Sequence, residues 1–214
     1  MRAALVVFVA VASLPLMAGC RDNSWSTAQG KLAAAMAPVS NAIDQNDLPA
    51  CPATAFADGK PIVLTDLQVL RLASASDAYL ATNRREIAPV CTTFLASRAI
   101  TESMNPFNSE SSRVSNAKKI LASTQFAVVT TESHRAPGAS GAGRAAGRIV
   151  LVAQGKALCA TPWSAENGET TSVQVDKITR FASDNARTAA WTGDLSSRSC
   201  RAIEALLPRP RNER

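Results

Sequence analysis

The residues best equipped for chemistry in this chain are its five cysteines, its one histidine and a cluster of arginines beside a glycine-rich stretch. Cys20 closes an apolar N-terminal run, which leaves Cys51, Cys91, Cys159 and Cys200 in the body of the chain. No two of these have Cys-x-x-Cys spacing, so neither a zinc site nor a redox pair has its usual signature. An even set reads as two disulfides. Sequence neighbours close the smaller loops, so the expected pairs are Cys51–Cys91 and Cys159–Cys200. Each would close a loop of about 40 residues, for which chain entropy gives roughly 4 kcal/mol. His134 lies in Glu132-Ser133-His134-Arg135. A triad needs a base held by an acid next to a nucleophile, and Gly138-Ala139-Ser140-Gly141 misses the Gly-x-Ser-x-Gly elbow by one residue. His134 is therefore expected to be a surface or loop histidine. The glycines from Gly138 to Gly147 lack the Gly-Lys-Ser/Thr of a phosphate loop. Arg135, Arg144 and Arg148 at the base of that stretch are the candidate anion contacts.

Cys20 ends the run Leu16-Met17-Ala18-Gly19-Cys20, which resembles the lipobox of bacterial lipoproteins. Before it stand Met1-Arg2 and the uncharged apolar segment Ala3–Ala18, the layout of a secretory signal. That segment is shorter than the roughly 20 residues of a spanning helix and carries Pro15. The resemblance implies removal of residues 1–19, a diacylglyceryl group on the Cys20 thiol and acylation of the new amino group. Met17 stands where the family usually has Leu. Arg21 is not the Asp that typically retains lipoproteins at the inner membrane, so the resemblance favours the outer membrane. The periplasm is oxidising, in line with the expected disulfides.

Ser115-Asn116-Ala117-Lys118, Ser183-Asp184-Asn185 and Trp191-Thr192-Gly193 resemble, in order, the three boxes of penicillin-binding proteins and serine β-lactamases. On a helix, Ser and Lys three apart share a face, so the amine can take the hydroxyl proton. The resemblance implies a Ser-Lys hydrolase of peptidoglycan or a lactam. Two departures weigh against it: Trp191 replaces the Lys of the third box, and the last two boxes nearly touch in sequence. Ser115 is then simply a helix cap.

The elements that must position these residues divide unevenly. Residues 20–60 are rich in Ala, Ser, Asn, Asp and Pro and read as a flexible tether, with a helical patch near Lys31–Ala37 that Pro38 interrupts. Trp25 either sits at the head-group level or packs on the domain. Residues 61–208 form one globular domain. There Ile62–Leu64 can form a strand, Thr65-Asp66 can cap a helix bearing Leu67, Leu70 and Ala73, and a further helix spans Asp77–Leu95. A helix capped by Ser112 or Ser115 follows, with Val114, Ala117, Ile120 and Leu121 inward. Strands are expected near 125–131, 148–153 and 156–161. Gln154-Gly155 forms a tight hairpin turn, and Ile149–Val152 is covered on both faces. Residues 132–147 form a Gly/Ala-rich connection. Two helices, near 176–190 and Ser197–Leu207, end the fold before a basic tail, 209–214. The fold class is α+β: a small antiparallel sheet with helices packed on one side and two disulfides.

Removal of residues 1–19 leaves 195, carrying a formal charge of +5 in place of +6. The leading expectation is a cell-envelope lipoprotein with a non-catalytic binding or structural domain, requiring no metal or cofactor. It would sit on the periplasmic face, meet the membrane through Cys20, and bind an envelope protein or polymer rather than nucleic acid. The alternatives are the Ser-Lys hydrolase and an anion or lipid-head-group module.

Overall fold

The computed structural model describes residues 24–56, 61–74, 91, 103–137, 142–167 and 182–207. Cys20, the helix expected at Asp77–Leu95 apart from Cys91, the first part of the helix expected near 176–190 and the basic tail lie outside these residues. The chain order is α1 (Trp25–Ile43), β1 (Ile62–Thr65), α2 (Asp66–Ala73), α3 (Glu110–Leu121), β2 (Gln125–Arg135), β3 (Arg144–Ala153), β4 (Lys156–Glu166) and α4 (Ala182–Leu206). The α+β class holds. The four strands lie in sequence order, with β1 parallel to β2 and the other pairs antiparallel, so the sheet is mixed.

Alternation along the central strands generates two cores. Phe126, Val128, Val150 and Val152 face one side with Leu64, while Ala127, Val129, Ile149 and Leu151 face the other. The first side is covered by α1, α2 and α3, and the second by α4 with residues near Phe56. Helices therefore cover both faces, not one. The uninterrupted apolar run Ile149–Val152 is what double coverage demands.

The segment expected to be a tether is instead part of the fold over residues 24–56. Ser24 Oγ accepts from the Thr27 amide at 3.4 Å to cap α1. Leu32, Met36, Val39 and Ile43 recur at helical spacing and are essentially fully buried. Pro38 lies inside the helix without ending it. Its exposed ring sits against the β3–β4 turn, where a Cβ on Gly155 would come within 2.8 Å of Pro38 Cβ. Interior proline costs a helix about 3 kcal/mol. Burial of Val39 and Ile43 beyond it outweighs that cost, at about 1.5–3 kcal/mol for each such side chain. Trp25 packs on this core with the Arg113 guanidinium 3.9 Å from its ring centroid, which favours the domain-packed alternative.

Thr65 caps α2 in a full capping box with Gln68, and Ile62–Thr65 is a strand, so both readings of that stretch hold. For α3 the cap is Ser109, three residues before Ser112. Glu110 occupies its first turn and Lys118 and Lys119 its last, complementing the helix dipole. Gln154 and Gly155 take φ of 50° and 73°, as a type I′ hairpin turn requires. The strands run longer than expected, through Arg135, from Arg144 and through Glu166. Half of the 132–147 connection, residues 132–135 and 144–147, thus belongs to the strands. A single α4 replaces the two expected C-terminal helices.

The cysteine pairing differs from expectation. The bonds are Cys51–Cys159 and Cys91–Cys200, not Cys51–Cys91 and Cys159–Cys200. Ala50 bridges to Ala160, and the Cys51 amide donates to the Ala160 carbonyl at 3.1 Å, which sets Cys51 beside Cys159 on β4. Loop entropy separates a 40-residue closure from one of 108 by only about 0.9 kcal/mol. Placement by the sheet decides the pairing.

Candidate functional site

The antiparallel ladder ends where β3 and β4 open toward α4, and a polar network gathers there. Asn167, at the end of β4, is buried. Its Oδ1 accepts from the Gly143 amide at 2.8 Å, and its own amide donates to the Gly143 carbonyl at 3.0 Å. The Asn167 Nδ2 donates to the Trp191 carbonyl at 2.7 Å and to Asp194 Oδ2 at 3.0 Å. Asp194 in turn takes Arg198 Nε on both oxygens, at 3.0 and 2.9 Å. One side chain thus ties the two strands to α4, because an amide offers both donors and an acceptor. Beside this network lies a shallow cleft of about 360 Å³ lined by Ser164, Ala165, Glu166, Arg198 and Arg201. One hydroxyl, one carboxylate and two guanidiniums suit contact with a polar or charged segment. The sequence reading missed Asn167, Arg198 and Arg201. Asn167-Gly168 in the sequence reads as a turn signal, which does not show that the amide would bridge to α4.

The candidate anion contacts are already engaged. Arg148, mostly buried, has Nε 2.8 Å from Glu132 Oε1 and donates from a terminal nitrogen to the Ile43 carbonyl at 3.1 Å. The first contact is a charge pair, without the alignment of a hydrogen bond. The second places a cation on the C-terminal end of α1, where the helix dipole favours it. Arg144 pairs with Glu166 at 3.2 Å with both side chains exposed. Arg135 donates to the Ala142 carbonyl at 3.0 Å and lies opposite Arg144 in the ladder. The three guanidiniums brace strands and a helix end and do not converge on one point.

The first hydrolase box is also kept apart from the other two. Ser115 and Lys118 are exposed on α3, which belongs to the first core layer. Residues 183–185 and 191–193 lie in α4 on the opposite face of the sheet. The third box is helical, where that chemistry requires a strand edge. His134 is half-buried on β2 opposite Ala145, so it is a strand residue and not a loop one. Among the described residues, no group of three His, Cys, Asp or Glu side chains could hold a metal ion, and no helix is long and apolar enough to cross a membrane.

Comparison with known proteins leaves this geometry as the main guide: no family model, no curated protein and no solved structure matches the chain.

Proposed function

We propose that the chain is a lipid-anchored protein of a bacterial cell envelope whose domain binds or scaffolds an envelope protein or polymer. The observation that carries this reading is the fate of the cysteines. The four that follow the lipobox-like run pair with one another, which leaves Cys20 as the odd thiol at the one position where acylation would use it. Paired cysteines belong to an oxidising compartment, where export through such a signal delivers a protein. Two or three acyl chains on Cys20 hold a protein durably at a bilayer, whereas one does so only marginally. A binding or scaffolding role fits the cleft lining, whose Arg198 is held by Asp194, and the separation of the hydrolase boxes. Absence of Asp after the cysteine favours the outer membrane over the inner.

The test is metabolic labelling with a clickable fatty-acid analogue during expression in a bacterium. Wild-type chain is expected to take up label and fractionate with membranes, and Cys20→Ser to lose both properties. Equal labelling of the two chains would overturn the reading.

A further inference from the structure

The loop before α3 holds the most exposed large apolar side chain among the described residues, Phe107, with 93% of its surface open. Its exposure is built in. The Phe107 amide donates to Asn105 Oδ1 at 3.0 Å, and the Asn108 amide donates to the Asn105 carbonyl at 3.2 Å. Residues 105–108 therefore form a closed β-turn with Pro106 at its second position, where the fixed φ of proline suits the turn. The base of the loop is fastened to the body: Ser103 is fully buried, Met104 packs on the first core, and Arg113 Nε donates to the Ser103 carbonyl at 3.1 Å. A rigid turn on a buried base thus presents a phenyl ring to the outside.

The place of this turn says what the ring meets. The Trp25 amide donates to Glu110 Oε1 at 2.7 Å, and Arg113 stacks on the Trp25 ring. The start of α1 and the start of α3 therefore share one end of the molecule, and Phe107 is only three residues from Glu110. Four residue steps separate Cys20 from Ser24, a reach of at most about 14 Å even when fully extended. An acylated Cys20 holds this end of the molecule close to the bilayer.

We infer that Phe107 is a second membrane contact, inserting its ring among the acyl chains of the leaflet that carries the Cys20 anchor and so fixing how the domain stands on the surface. The inference rests on the anchor reading above. Phe, like Leu and Trp, is a side chain that surface-bound elements bury at the boundary of head groups and acyl chains, and a turn that is already ordered loses little entropy on insertion.

The experiment uses the full chain purified after expression in a bacterium. Intact mass first establishes whether Cys20 carries acyl groups. Wild type and Phe107→Trp are then reconstituted in vesicles of plain or bromine-labelled phosphatidylcholine, and the emission of the added tryptophan is taken by difference. The expected result is an acylated chain whose added emission is blue-shifted and quenched by about half or more in bromine-labelled vesicles. An acylated chain whose added emission is the same in both vesicles would overturn the inference while leaving the anchor reading intact. An unacylated mass would overturn the anchor reading and this inference together.

Discussion

Gly147 and Trp163 face each other across β3 and β4, and the pair shows how much one residue position can hold. The Trp163 indole N–H donates to the buried Thr130 carbonyl at 3.1 Å, reaching over Gly147 to the strand beyond. The register of β2 shifts between Thr131 and Ser133. The Thr130 hydroxyl donates to the Arg148 carbonyl at 3.2 Å and receives the Arg148 amide at 3.4 Å. A Cβ on Gly147 would stand 1.9 Å from the Thr130 carbonyl oxygen and 3.0 Å from the indole nitrogen. Gly147→Ala must therefore push the strands apart, and its expected cost is about 3 kcal/mol, at the upper end of core overpacking. Trp163→Phe keeps an aromatic ring but takes the indole donor from a buried carbonyl, with an expected cost of about 1–3 kcal/mol. Urea unfolding followed by far-UV circular dichroism measures both. A Gly147→Ala chain as stable as wild type would show that the indole contact is not held as described.

That pair was not readable from the sequence, and the reason is specific. Counting back from the Gln154-Gly155 turn alone sets Gly147 opposite Pro162. The bulge at Leu158 adds one residue to β4 between Ala157 and Cys159, and this brings Trp163 into place. Bulges of this kind leave no mark in the composition. The type I′ turn was legible because it needs positive φ at two positions and Gly at the second. The cap of α2 was legible because Thr65 and Gln68 stand at the reciprocal spacing. The helix α1 was misjudged: the recurrence of Leu32, Met36, Val39 and Ile43 was present, but Pro38 and the surrounding Ala and Ser obscured it. The candidate site was the least legible part, because its residues come together only when β4 and α4 meet.

At the scale of elements, α4 is held to the sheet by contacts of quite different kinds along its length. Toward its C-terminal end Ile203 and Leu207 are buried and Cys200 is bonded to Cys91. Around Trp191–Arg198, buried Leu195 is joined by the Asn167 network. Asn167→Ala removes one acceptor and two donors at once, leaving the Gly143 amide and the Asp194 carboxylate without that partner. Its expected effect is a loss of about 2–4 kcal/mol. The loss should also be local. Hydrogen exchange is expected to speed up in the stretch Trp191–Arg198 while the amides of α1 keep their protection. Unchanged exchange in that stretch would mean that apolar contacts alone hold this part of α4, and the cleft beside it would then lose its rigid wall.

For the molecule as a whole, the two cores are held by different means. The α1 side gathers Leu32, Met36, Val39, Ile43, Leu64, Val69 and Ile120, all fully buried. Among the described residues the α4 side shows fewer large aliphatic side chains, and both disulfides lie within it, with Cys91 and Cys159 buried and Cys51 and Cys200 packed against them. The two bonds span 108 and 109 residues and interleave in sequence. For one such loop the chain-entropy model gives about 5 kcal/mol, and because the loops overlap the second bond adds less than the first. Peptide mapping without reductant is expected to recover fragments linking Cys51 to Cys159 and Cys91 to Cys200. Fragments linking Cys51 to Cys91 would contradict the packing of residues 49–51 along β4. Replacing Cys91 and Cys200 together by Ser should lower stability by about 3–5 kcal/mol. Because Cys200 lies on α4, that loss should appear first in amides of α4 and in the near-ultraviolet signal of Trp163, and only later in the α1 core. Simultaneous loss in both regions would show that the sheet couples its two faces into a single cooperative unit, and that the disulfides stabilise the whole domain rather than the α4 side alone.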